Sequence, residues 1–266
     1  MEPLMNRAPV TLASPFPTPQ FTELTGHGEL AVAEAAASSL ARPKKVTQVL
    51  HALISHLDHQ PVTLDSFRQL SSAGREWLLQ KAALLFFSGD WFETECQHCS
   101  ARFDLQVSLR DIPKSKPAKE FPVVTINTSL GLRHFEAPNG TLEEALAVET
   151  HRDFRRVFAQ VCGLSDCAEI ESEQFTESDL AQLDQTLEQH SPDIADGLDV
   201  ACPECNEVTF ARIDPLLFAF PHWEDVLKEV HRLALGYHWT EQTILDLPLH
   251  RRKAYASLLR QTRRPS

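Results

Sequence analysis

The feature that most constrains this chain is a pair of Cys-x-x-Cys motifs, Cys96–Cys99 and Cys202–Cys205, which are separated by the 102 residues from 100 to 201. One such motif is either a redox dithiol or half of a metal site, whereas two motifs supply the four thiolates of a tetrahedral structural zinc site. Zinc ribbons usually place about 15–20 residues between their pairs. The long separation therefore predicts a metal that joins two distant parts of the chain into one body.

Both motifs are flanked by short segments in which β-branched and aromatic residues alternate with polar ones. These segments are residues 91–95, 103–107, 198–200 and 208–210. The alternation predicts that each motif lies at the tip of a β-hairpin, and that the four cysteines bind one structural zinc per chain with Zn–S distances of about 2.3 Å. The alternatives are two unrelated thiol pairs or a redox dithiol, but no strand–helix–strand pattern surrounds either motif.

Composition and charge limit the classes of partner. The chain has 266 residues and a formal net charge of −12, which opposes binding to nucleic acid. Its apolar runs are too short to span a bilayer, and the proline-rich first 20 residues lack the apolar core of a signal peptide. We therefore expect a cytoplasmic protein with reduced thiols and no membrane partner.

The patterning along the chain predicts an α+β fold: a mainly helical body, a split four-cysteine zinc ribbon and a small inserted strand–helix unit. Thr141-x-x-Glu144 and Thr176-x-x-Asp179 are predicted capping boxes at helix starts. An alanine-rich stretch over 31–41 is a candidate for a loose helix within a segment rich in proline, serine and threonine. The expected organisation is a disordered segment over 1–44, N-terminal helices over 45–90, the split ribbon over 91–110 and 196–213, the inserted unit over 120–195, and a C-terminal helical region over 214–262.

Signatures of catalysis are missing from the sequence. It contains no Gly-x-Gly-x-x-Gly, Walker, His-Glu-x-x-His or Gly-x-Ser-x-Gly motif. A zinc ion with four thiolate ligands keeps no open position for a substrate, so a metalloenzyme would require the loss of one ligand. We therefore expect a protein that is not an enzyme and has no small-molecule substrate.

The C-terminal region contains the candidate partner-binding residues. Tyr237 and Trp239 lie at a predicted break between helices, after a C-cap expected at Gly236, and are either local core or anchors for a partner. Arg251, Arg252 and Lys253 belong to a stretch that carries no acidic residue after Asp246. We expect these three side chains to form an exposed basic face that binds an acidic protein.

Several segments from residue 65 to about 262 together resemble a known family, the T-even-type baseplate hub assembly chaperones of contractile phage tails and related injection systems. Most of the resemblance lies in Cys202-Pro-Glu-Cys205, Asp214-Pro-Leu-Leu-Phe218, Glu229-Val-His-Arg-Leu-Ala234, Gly236-Tyr-His-Trp239 and Arg251-Arg-Lys-Ala-Tyr255. Upstream, a predicted helix, Gly89-Asp90, the first cysteine pair and Phe103-Asp104-Leu105 also fit the family. The tryptophan and double-arginine pattern is the most specific part of this set, and the first 60 residues contribute nothing to it.

The resemblance implies a protein that helps to assemble the central hub of a baseplate, with hub or spike proteins as partners and no enzymatic reaction. It also implies that the four cysteines form a structural metal site. Two alternatives stay open: a structural component that remains in the assembled particle, and a zinc-ribbon adaptor that binds nucleic acid.

Overall fold

The computed structural model describes residues 7–87, 91–148 and 153–262, and confirms the expected α+β class with a mainly helical body. The helices are α1 (Gly26–Ala37), α2 (Arg42–Leu53), α3 (Leu64–Arg68), α4 (Ser72–Ala83), α5 (Gly140–Leu146), α6 (Phe154–Cys162), α7 (Ala168–Gln174), α8 (Glu177–His190), α9 (Pro215–Phe218), α10 (Trp223–Tyr237), α11 (Glu241–Leu245) and α12 (Leu249–Thr262). Residues 1–6 of the predicted disordered segment and 88–90 of the predicted N-terminal helices lie outside the described residues.

The strands are short and antiparallel. They are β1 (Pro19–Phe21), β2 (Ile54–Leu57), β3 (Gln60–Pro61), β4 (Trp91–Glu95), β5 (Arg102–Gln106), β6 (Lys114–Ser115), β7 (Val123–Thr128), β8 (Gly131–Glu136), β9 (Asp193–Ile194), β10 (Gly197–Ala201) and β11 (Val208–Arg212). β1, β2 and β3 form one sheet, and the others pair as β4–β5, β6–β9, β7–β8 and β10–β11. None of the described helices combines the length and the hydropathy that crossing a bilayer requires.

The N-terminal segment is structured, which corrects the prediction of disorder over residues 1–44 for the part that the structure describes. Val32 in α1 is fully buried in the main hydrophobic core together with residues of α2 and α4. Farther upstream, the buried carboxylate of Glu136 accepts hydrogen bonds from the backbone N–H groups of Val10 and Thr11, both at 2.8 Å, and from the Thr11 hydroxyl. The prediction of disorder rested on a composition rich in proline and serine, which does not indicate that Glu136 accepts these hydrogen bonds.

The inserted unit has a hydrophobic core of its own. Val124 and Ile126 of β7 and Phe135 of β8 pack against Leu180, Leu183 and Leu187 of α8. The two chain segments that enter and leave the unit pair as β6 and β9, so a short two-stranded neck closes it against the helical body. The unit therefore interrupts the ribbon without separating its two halves.

Local capping explains where the helices of this unit begin. The predicted box at Thr176 is confirmed, because its hydroxyl accepts a hydrogen bond from Asp179 N and the Asp179 carboxylate accepts from Thr176 N. The predicted box at Thr141 is wrong. Asn139 is the N-cap of α5, and its side-chain oxygen accepts from the N–H groups of Thr141 and Leu142. An asparagine before a glycine supplied this cap two residues earlier than expected.

The C-terminal helices form a third small core, and a buried ion cluster joins them to α1. Arg252 of α12 is 1% exposed and donates to the carboxylates of Glu29 in α1 and Glu229 in α10. We call these three residues the Arg252 cluster. Gly26 leaves the space that this guanidinium occupies, since a Cβ atom there would lie 2.5 Å from its Nη1 atom.

Candidate metal centre

Each Cys-x-x-Cys motif lies at the tip of a five-by-five-residue hairpin, as predicted. β4 and β5 pair in register from Trp91–Gln106 to Glu95–Arg102, and β10 and β11 pair from Gly197–Arg212 to Ala201–Val208. Both hairpins end in a six-residue turn that begins with the first cysteine of the motif. The two halves of the ribbon are thus built to the same plan.

The two turns use the same backbone hydrogen bonds. Cys96 N donates to Ala101 O and Ser100 N donates to Cys96 O, while Cys202 N donates to Glu207 O and Asn206 N donates to Cys202 O, at 2.9–3.0 Å. Ser100 and Asn206 adopt positive φ angles of 59° and 58°. This left-handed residue after the second cysteine turns the chain back into the hairpin.

The hairpins are fixed to the helical body by apolar side chains on their inner faces. Phe92 of β4 is buried, and its ring centroid lies 4.5 Å from that of Phe218 in α9 and 5.5 Å from that of Phe87. Leu105 of β5 and Leu198 of β10 pack against the same main core. Because both halves rest on one core, their tips are held at one place.

The tips meet and bring the four cysteines together. Their sulfur atoms all lie within 4.8 Å of one another, and the Sγ atoms of Cys96 and Cys205, and of Cys99 and Cys202, are 3.7 Å apart. A tetrahedral zinc site with Zn–S bonds of about 2.3 Å requires sulfur separations of about 3.8 Å. A disulfide needs a separation of about 2.05 Å, and all four cysteines are free thiols. The geometry therefore fits a four-coordinate metal.

Direct hydrogen bonds also connect the two tips. The His98 Nε2 atom lies 3.0 Å from the carbonyl oxygen of Val208, and Gln97 N donates to the hydroxyl of Thr209 at 3.1 Å. Thr209 is 1% exposed. His98, which lies inside the first motif, therefore faces the opposite hairpin and is not among the residues of the cysteine cluster. Nothing in the sequence marked Thr209 or Gln97 for this role.

Burial follows the same plan in both motifs. The first cysteine of each, Cys96 or Cys202, is buried, whereas Cys99 is exposed and Cys205 is half-buried. A bound ion would thus be covered by protein on one side and lie near solvent on the other.

The ionisation of the thiols favours a cation among them. Burial raises the pKa of Cys96, but the backbone N–H groups of Cys99 and His98 and the neighbouring thiols outweigh it and lower the pKa to about 6. The N–H of Glu207 lowers the pKa of Cys205, yet desolvation and the three other thiols raise it to about 12. The surroundings thus favour a thiolate at Cys96 and oppose further negative charge at Cys205. A divalent cation removes that conflict, because metal binding displaces the thiol protons.

Asp104 and Asp214, which follow the two motifs in the sequence, lie in different settings. Asp214 is the N-cap of α9, accepts from Leu216 N at 3.1 Å, and forms an ion pair with Arg42 at 2.8 Å. Asp104 lies within β5. Within the described residues, the four cysteines are the one group of three or more candidate ligands whose atoms converge.

The predicted partner-binding residues fall into two sets. Tyr237 and Trp239 stack with ring centroids 4.7 Å apart, and both contact Tyr255 at 5.6 and 4.9 Å. They are half-buried members of the C-terminal core, which favours the local-core alternative. α10 also continues past the expected C-cap at Gly236 and ends at Tyr237, with His238 as its C-cap at a φ angle of 55°.

The prediction of an exposed basic face is wrong for Arg252. Arg251 and Lys253 are exposed, but the residue between them points inward and forms the Arg252 cluster. Successive residues of a helix are rotated by about 100°, so a run of three cations cannot lie on one face. A role for the other two in partner binding stays a prediction.

The chain matches no protein-family model, no curated protein and no solved structure.

Proposed function

We propose that this chain is a non-enzymatic assembly factor for the baseplate hub of a contractile phage tail or a phage-tail-like injection system, stabilised by one structural zinc ion. The observation that supports the structural zinc ion is the cysteine cluster, whose four ligands come from two hairpins more than 100 residues apart. The sequence resemblance of the segments from residue 65 to 262 supplies the baseplate hub, or its spike, as the partner. The place of action would be the bacterial cytoplasm, where tails assemble.

A structural role for the metal follows from the ligand set. Four thiolates leave zinc no position for water or substrate, so the ion would stabilise the fold and would not activate a nucleophile. Because the ligands come from both halves of the ribbon, zinc binding would favour the state in which the hairpins and the inserted unit are assembled on the body. Such a protein would act by holding a hub subunit, without turnover.

The partner-binding surface is proposed to lie on the C-terminal helices. Arg251 and Lys253 on α12 are exposed and form no ion pair with the described part of the chain. They are therefore available for the carboxylates of an acidic partner, and electrostatic contacts of this kind mainly speed association.

Deletion of the gene in a host that makes such particles tests the proposal. We expect tube and sheath proteins to be expressed, but particles to be incomplete at the baseplate. The intact gene and a Cys167→Ser variant, which changes an exposed cysteine outside the cluster, should restore complete particles, whereas Cys99→Ser should not. Complete, active particles in the deletion strain would contradict an assembly role.

Two further outcomes separate the alternatives. A fixed copy number in every purified particle would favour a structural component over a transient chaperone. A gel shift with duplex DNA at physiological salt would favour the nucleic-acid adaptor, which the net charge of −12 opposes.

A further inference from the structure

A group of basic side chains surrounds Trp77 on a face that shares no residue with the cysteine cluster. The ammonium groups of Lys114 and Lys81 lie 3.5 Å and 4.1 Å from the centroid of the Trp77 ring. Lys114 also lies 4.9 Å from the ring centroid of Phe16, which packs edge-on against Trp77. Arg110 is exposed and its charge acts on Lys81, and we call Lys81, Arg110 and Lys114 the Trp77 basic surface.

Lys81 is influenced by the two other cations. Desolvation lowers the pKa of Lys81, and the charges of Lys114 and Arg110 lower it further. Two acidic residues lie near these cations in the sequence. Asp111 follows Arg110 directly, and the Glu120 carboxylate lies 4.0 Å from the Nε2 atom of His190. Yet none of the three cations has a carboxylate within ion-pairing distance among residues 7–87, 91–148 and 153–262. Although the chain has 37 acidic and 25 basic residues, these three cations have no carboxylate partner within the described residues.

The segment that carries two of these cations is stiff and exposed. Arg110, Lys114, Lys116 and Lys119 are all exposed. Pro113 and Pro117 lie on either side of Lys114 and Lys116 and restrict the backbone there. Lys114 also lies in β6, which pairs with β9. Cations on a restrained backbone lose less conformational freedom when they bind than cations on a loose tail. The surface is therefore prepared to bind an anion.

We propose that the Trp77 basic surface binds a carboxylate-rich segment of a protein partner. The geometry favours a protein over a single-stranded nucleic acid, because nucleic-acid sites of that class offer an open aromatic face for base stacking. Here the ammonium groups and the Phe16 edge occupy the surroundings of the Trp77 ring. The net charge of −12 also repels a long polyanion, while a short acidic segment meets mainly the local positive charge. This inference does not depend on the proposed assembly role.

The test is fluorescence anisotropy with the full-length, zinc-loaded protein and a fluorescein-labelled peptide in which six glutamates alternate with glycine and serine. The triple variant Lys81→Gln, Arg110→Gln and Lys114→Gln should bind the peptide at least about tenfold more weakly. The matched control is Lys44→Gln, Lys45→Gln and Arg212→Gln, which removes three positive charges elsewhere on the protein and should change Kd by less than about twofold. Binding to the unmodified protein should weaken at high salt.

A second variant guards against loss of structure when the lysines at Trp77 are changed. Arg110→Gln alters an exposed side chain and should still weaken binding about threefold. The proposal is overturned if the unmodified protein does not bind the peptide, if the triple variant binds as tightly as the unmodified protein, or if the control loses equal affinity. It is also overturned if a single-stranded oligonucleotide of the same charge binds this surface more tightly than the peptide.

Discussion

The cysteine cluster and the Arg252 cluster both join segments that are far apart in the chain, but by opposite means. Cys96 and Cys205 are 109 residues apart, and Glu29 and Arg252 are 223 residues apart. The cysteines lie at two hairpin tips, partly in contact with solvent, and their thiols favour the addition of a cation. The arginine is buried between α1, α10 and α12, and its charge is already matched by two carboxylates.

The two connections should respond to different conditions. A metal site contributes folding free energy only when the ion is bound. A buried ion pair adds little net stability when intact but costs several kcal/mol when one partner is removed, because the other charge stays buried. Metal removal should therefore act on the ribbon, and substitution at the arginine should act on the contact between the N- and C-terminal segments.

Substitution of a ligand should have the largest effect. Cys99→Ser should release the metal, since three thiolates bind zinc far more weakly than four, and apparent binding free energies of structural zinc are about 10–16 kcal/mol in small peptides. We expect the melting temperature to fall by at least about 10 °C. Metal content measured by mass spectrometry, with thermal denaturation, checks both.

Cys167→Ser is the control for this prediction, because Cys167 is an exposed cysteine outside the cluster. It should retain one zinc per chain and melt like the unmodified protein. If the Cys99→Ser variant keeps its metal or its melting temperature, the cysteine cluster does not connect the two hairpins through a stabilising metal ion.

The second largest effect should come from Arg252→Met. The substitution leaves the Glu29 carboxylate, which is 4% exposed, without its partner, and should lower the free energy of unfolding by about 3–5 kcal/mol. Urea denaturation measures the change. Adding Glu29→Leu should recover part of the loss, because the buried charge is then also removed.

The metal content of the Arg252→Met variant shows whether the Arg252 cluster and the cysteine cluster are independent. If the two connections are independent, this variant keeps its zinc. Release of zinc would show that the position of the C-terminal helices controls the ribbon.

The sequence was sufficient to predict the cysteine cluster, because the two Cys-x-x-Cys motifs themselves contain all four metal ligands. Four thiolates in two equal pairs, each flanked by alternating strand residues, leave few other uses for the side chains. The hairpins and the meeting of their tips followed from that pattern. The ring contact between Phe92 and Phe218 and the hydrogen bond from Gln97 to Thr209 depend on how the hairpins pack on the helical body. No local sequence pattern predicts either contact.

The Arg252 cluster could not be predicted in the same way, because the sequence alone does not mark which of three consecutive cations is buried. One signal was available: Arg252 precedes the core residues Tyr255 and Ala256 by three and four positions, which places all three on one face of α12. Its partner Glu29 lay in a segment for which disorder was expected, so nothing indicated a carboxylate that would receive the charge.

A smaller effect is expected at Asp179, which forms a short-range connection within the inserted unit. Burial raises its pKa, but hydrogen bonds from Ser129 and Thr176 outweigh this and lower it to about 2. Because the folded pKa is depressed, the carboxylate stabilises the unit fully above about pH 4, and this contribution is lost as the pH falls towards 2.

Asp179→Asn should therefore lower the free energy of unfolding by about 1–2 kcal/mol at pH 7, and the difference from the unmodified protein should shrink at pH 2.5. Both proteins lose metal in acid, so the difference between their urea midpoints is the measure. A difference that stays constant from pH 7 to 2.5 would mean that the carboxylate charge is not what stabilises this short connection.

The smallest effect on stability should come from reversing the charges on either side of Arg252. Arg251→Glu with Lys253→Glu changes two exposed side chains, so the free energy of unfolding should stay within about 0.5 kcal/mol of its original value. The central residue of the same run is worth several kcal/mol, because the helix turns it inward to Glu29 and Glu229 while its neighbours point to solvent. The double variant should instead weaken capture of a purified hub subunit in a pull-down, more strongly at low salt than at high salt. Unchanged capture would remove Arg251 and Lys253 from the partner surface, and a large loss of stability would mean that they belong to the buried connection after all.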